Sequence, residues 1–175
     1  MVDLTLLDSL KIIVYQIIEP FLPKFEINTD KGQKLIEIIN NIYDAQLSKL
    51  SLSDIQNLKN LLNENYFINS YVKIFQTSFS KIFEDGKIDN DDIPLIINLV
   101  KDIVLQVNKS NQENTATVKI NVSTILTLVK FILTTVSSFI FDKKPEIVGT
   151  ITTIFSLVEL TLTPISGNSF SCKFC

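Results

Sequence analysis

Histidine and tryptophan are absent from the 175 residues, and only two cysteines and four glycines occur. Without histidine there is no Ser-His or Cys-His nucleophile arrangement, no imidazole-ligated metal site, and no side chain whose ordinary pKa lies near neutral pH. Carboxylate and lysine chemistry remain, but the acids fall mostly on the solvent faces and at the starts of expected helices, so no enzyme and no cofactor are expected. Charged residues make up only 20% of the chain, the net charge is −3, and no basic stripe alternates with aromatics. Nucleic acid is therefore not expected as a direct partner. Basic residues are missing from the first positions too. Asp3 stands there, Asp8 and Lys11 interrupt the apolar run that follows, and no secretory signal is read.

What is present is apolar: 46% of the residues are hydrophobic. That composition is far from disorder, and the length suits one domain with a real core better than two. The apolar spacing is helical. Leu4, Leu7, Leu10, Val14 and Ile17 form a stripe that Asp3 can cap and Pro20 and Pro23 end. Leu35, Ile38, Ile39, Ile42 and Tyr43 form the next, behind Thr29-Asp30. Ser53 with Gln56 reads as a capping box before Ile55, Leu58, Leu61 and Leu62, and Asn63-Glu64-Asn65 as a break. A fourth helix is expected from about Asn69 to Phe83, with Val72, Phe75, Phe79 and Ile82 inward, and a fifth, apolar on more than one side, from Ile93 to Val107. The polar stretch 108–117 reads as an exposed loop.

Between the fourth and fifth helices lies the densest run of acid, Phe83-Glu84-Asp85-Gly86-Lys87-Ile88-Asp89-Asn90-Asp91-Asp92-Ile93-Pro94. Asp85-Gly86 is a turn pair, because glycine takes a positive φ without steric penalty and so ends a helix. Asp89, Asp91 and Asp92 stand where carboxylates accept helix N–H groups, and Pro94 suits a first turn. Asp85, Asp89 and Asp92 also resemble part of a calcium loop. Lys81 and Phe83, however, would occupy the first and third ligand positions, and neither binds calcium. The stretch reads as helix, tight turn, capped helix.

The last third predicts a helical hairpin, Ile120–Phe141 and Pro145–Leu162, turned at Asp142-Lys143-Lys144. Thr, Val and Ile are plentiful in the second arm, yet Ile147, Ile151, Ile154, Phe155, Val158 and Leu162 are spaced as on a helix. Each arm is long enough to span a bilayer. Lys130 and Glu159 oppose that, each costing about 2.5–3.5 kcal/mol at a membrane helix centre. Cys172 and Cys175 form a CxxC pair near the end with no other cysteine or histidine to complete a metal tetrahedron. They read as tail thiols or as a covalent or metal link to a neighbouring subunit.

The run Phe83–Pro94, followed by Ile96-Ile97-Asn98-Leu99-Val100, resembles a segment of small helical minor capsid proteins of large icosahedral DNA viruses. The resemblance implies a glue protein in the virion, assembled in host cytoplasm, that joins neighbouring capsid subunits; it carries no catalytic residue across. The expectation is an all-α single domain over 1–165 of six to seven helices (mixed half 1–83, acidic turn 84–94, apolar half 95–165) with a C-terminal apolar hairpin, then a tail, 166–175. Its partners are other protein subunits, capsid proteins or further copies of itself. The residues taken to interact are Glu84, Asp85, Asp89, Asp91, Asp92, Cys172 and Cys175. Two alternatives stay open: a membrane-associated hairpin protein, and a soluble carrier of an apolar ligand lined by Phe75, Phe79 and Phe131.

Overall fold

The computed structural model describes residues 5–21, 30–63, 65–113, 122–141 and 145–162. Among them are seven α-helices and no strand: α1 (Leu6–Ile18), α2 (Asp30–Gln46), α3 (Leu52–Asn63), α4 (Asn65–Ile82), α5 (Ile93–Glu113), α6 (Val122–Ile140) and α7 (Pro145–Leu162). Short 3₁₀ turns follow α1, at Glu19–Phe21, and precede α5, at Asn90–Asp92. The all-α expectation and the apolar C-terminal hairpin both hold.

Local signals differ from the expected ones at four places. Thr5, not Asp3, caps α1: its hydroxyl accepts the Asp8 N–H at 3.2 Å while the Asp8 carboxylate takes the Thr5 N–H at 3.3 Å. That hydrogen-bonded carboxylate is held below its ordinary pKa, first by the Thr5 hydroxyl. The second cap is Ser51, two residues earlier than the expected Ser53; its hydroxyl accepts the Asp54 N–H at 3.1 Å and donates to the Asp54 carboxylate at 2.8 Å. α4 begins at Asn65 rather than Asn69, so the break at Asn63-Glu64-Asn65 is short. The expected loop from Asn108 is helical as far as Glu113, because α5 continues without a breaker; the rest of that stretch lies outside the described residues.

The architecture turns on α6. Its residues from Phe131 to Ser138 are all buried, and it packs against α1, α2, α5 and α7. A helix apolar around its circumference needs neighbours on all sides, and this one has them. α1 is the second hub, touching α2, α3, α4 and α6. Leu10, Ile13, Val14 and Ile17 of α1 join Leu35, Leu58, Phe75, Phe79, Leu99 and Ile103 in one contiguous core. At one end, aromatic rings tie three chain segments together. Phe83 lies 5.9 Å from Phe21, 5.4 Å from Phe79 and 5.8 Å from Phe141, centroid to centroid. Such edge-on and tilted pairs add about 0.5–1.5 kcal/mol each beyond area burial. Phe83 is also the first residue of the acidic turn, so this cluster fixes where the turn starts.

Candidate functional site: the acidic turn and the seam it joins

The turn from Phe83 to Asp92 is a succession of satisfied hydrogen bonds. The Phe83 N–H donates to Phe79 O at 2.9 Å, Glu84 N–H to Lys81 O at 3.3 Å and Gly86 N–H to Phe83 O at 3.1 Å. Gly86 has φ of 76°, the left-handed value that reverses the chain after α4. Asp85 then accepts the Lys87 N–H at 3.1 Å. Asp89 is in extended conformation and caps the 3₁₀ turn, accepting the Asp91 N–H at 2.9 Å, while its own N–H donates to the Asp92 carboxylate at 2.9 Å. The reciprocal pair Asp89 and Asp92 is a capping box built from two aspartates.

Charge follows the same geometry. The Lys87 ammonium sits 2.9 Å from the Asp89 carboxylate on the surface. The hydrogen bond to Asp89 raises the Lys87 pKa, and the same bond, with the Asp91 N–H, lowers that of Asp89. Both groups are exposed, so this pair adds little to stability. Asp92 differs, at only 6% exposed. Burial holds its carboxyl above the ordinary carboxylate range; the Asp89 N–H opposes that rise, and the neighbouring Asp85, Asp89 and Asp91 add to it.

A raised native pKa means that folded Asp92 holds its proton more tightly than the unfolded chain does. Its contribution to stability is therefore fully present below the unfolded value, about 4, and is lost as pH rises through the native value. Asp92→Asn keeps a carbonyl acceptor for the Asp89 N–H and cannot ionise. Urea unfolding of both proteins across that window should show the variant gaining on the wild type as pH rises; a difference independent of pH would refute the assignment.

Glu84, Asp85 and Asp91 point to solvent. No cluster of three or more Asp, Glu or Cys side chains among the described residues is placed to hold a metal ion; Asp85, Asp89 and Asp92 each accept a backbone N–H of the turn. Cys172 and Cys175 lie outside the described residues. Phe75, Phe79 and Phe131 are at most 1% exposed, inside the core, and line neither of the grooves described next.

Because the turn is tight, α4 and α5 pack side by side, and between them runs a groove of about 400 Å³. One bank is Ser70, Lys73, Ile74, Thr77, Ser78 and Lys81 of α4; the other is Leu95, Asn98, Asp102 and Gln106 of α5. Lys73, Lys81 and Asp102 have no ion-pair partner among the described residues, and the polar side chains of Thr77, Ser78, Asn98 and Gln106 make no hydrogen bond to protein there. The floor is Ile74 and Leu95, both only partly buried. Reading one helix at a time gave no sign of this seam. The short Asp85-Gly86 turn, which makes the two helices neighbours, was the signal that could have revealed it.

A smaller groove of about 260 Å³ lies where α2, α6 and α7 meet. Gln46, Lys49, Lys130, Phe155 and Glu159 are among its lining, so the two charges that stand apart in the hairpin sequence share one depression. Comparisons with protein-family models, curated proteins and solved structures give no match to this chain.

Proposed function

We propose that this chain is a non-enzymatic structural protein that joins neighbouring protein subunits, received on the face formed by α4, the acidic turn and α5. The observation that carries this reading is the set of uncommitted groups in the α4–α5 seam. Lys73, Lys81 and Asp102 are charged without an ion-pair partner among the described residues, and amides and hydroxyls lie between them over an apolar floor. A helix laid on the seam of an antiparallel pair buries such a floor, while the flanking groups set orientation and partner choice. The fitting partner carries carboxylates opposite Lys73 and Lys81 and basic residues opposite Asp102 and the exposed Glu84, Asp85 and Asp91. The resemblance of the acidic turn to minor capsid proteins gives the reading its most specific form, a glue protein between capsid subunits of a virion.

Amine cross-linking and mass spectrometry on the assembly purified from its native source test it. Cross-links from Lys73 and Lys81 to a different chain or a second copy are expected. Links only within the chain, together with a sedimenting mass of 19.8 kDa, would refute the reading.

A further inference from the structure

The sequence argument against a membrane hairpin rests on Lys130 and Glu159 as two separate buried charges. The structure removes that separation. Both residues line one groove where α2, α6 and α7 meet, so on an inserted hairpin the cation and the anion would lie on the same side rather than apart. Hydroxyls are the other obstacle, and most are already satisfied within their own helix. On α6, Thr127, Thr134 and Thr135 donate to the carbonyls of Ser123, Lys130 and Phe131. On α7, Thr150, Thr152, Thr153 and Ser156 donate to Glu146, Val148, Gly149 and Thr152. Hydroxyls bonded back to their own helix need no water, which suits a helix for lipid.

Three further features bear on the same hairpin. Ser123–Ile140 is long and apolar enough to cross a membrane, although 72% of it is buried in the bundle. α7 carries no charge from Val148 to Leu157, both of which are exposed, and Leu160 is exposed beyond Glu159. Leaving the bundle would also break no hydrogen bond at Ser137 Oγ or Ser138 Oγ, which, like Gln46 Oε1 on the adjoining α2, are buried without a partner among the described residues. α1, α3, α4 and α5 keep contacts with one another that do not pass through α6.

We infer that α6 and α7 form a bilayer-inserting hairpin, folded into the bundle in water and able to leave it for lipid. The seam of α4 and α5 is not used, so one chain could attach protein subunits to a membrane. The absence of tryptophan makes the test direct. Leu157 is 41% exposed, so Leu157→Trp in the full chain leaves the core intact and supplies the only indole.

The variant is mixed at neutral pH with phosphatidylcholine vesicles brominated either near the headgroup or near the acyl terminus. Insertion predicts a loss of indole fluorescence that is greater with the deep bromines. Loss only with the shallow bromines would mean α7 lies on the surface, no loss would mean no lipid binding, and either result overturns the inference. The cross-linking of Lys73 and Lys81 needs no lipid, so the two proposals fail separately.

Discussion

Phe131→Ala is expected to destabilise the protein by about 3–5 kcal/mol, the range for removing a large aromatic from a packed core. Phe131 is 0% exposed, lies midway along the helix that packs against α1, α2, α5 and α7, and meets the Tyr43 ring edge-on at 6.5 Å between centroids. The deleted ring leaves a void between α2 and α6 that neither backbone can close without moving the other. For a chain of this size the loss corresponds to a fall in Tm of roughly 10 °C. Urea titration should give a lower midpoint with an unchanged slope. As a control, Leu52→Ala removes a side chain that is 86% exposed and should move stability by less than about 0.5 kcal/mol. Equal effects of the two substitutions would contradict the placement of α6 at the centre.

Gly86→Ala should destabilise by about 1–2 kcal/mol, the penalty for an L side chain in the left-handed region. Nothing lies within 4 Å of a Cβ built at Gly86, so the effect is backbone strain at φ of 76° and not a clash. Gly149 separates the two causes. It lies within α7, also with open space beside it, and Gly149→Ala should stabilise by about 0.5–1 kcal/mol because alanine restricts the unfolded chain and favours helix. Thermal unfolding of both variants measures the contrast; two shifts of the same sign would mean that the turn after α4 is not the one described.

Much of this fold was legible residue by residue. The inward positions Leu10, Ile13, Leu35, Ile39, Phe75, Phe79, Leu99 and Ile103 follow from spacing alone, because a helix repeats every 3.6 residues and water penalises an exposed stripe. The acidic turn was legible for the same local reason: Asp85-Gly86 and Asp89 with Asp92 satisfy hydrogen bonds within a few residues of themselves. The displaced boundaries show where local reading loses resolution. Ser51 and Ser53 both precede an apolar run, and the register that seats Leu58, Leu61 and Leu62 against α1 and α4 makes Ser51 the cap. Asn108 to Glu113 is polar and looks like a loop, yet nothing in it breaks the helix that the buried Ile103, Val104 and Val107 have established.

The sequence by itself determined that the chain is helical, where the glycine turn after α4 falls, and which chemistry its missing histidine excludes, since each depends on contacts within a turn or two. Only the tertiary structure decided that the most apolar helix is surrounded by its own chain, that α4 and α5 line a shared seam with charges unpaired among the described residues, and that Lys130 and Glu159 occupy one groove. Those facts depend on which helices become neighbours. Periodicity cannot specify that, because an apolar stripe is equally satisfied by any partner that excludes water.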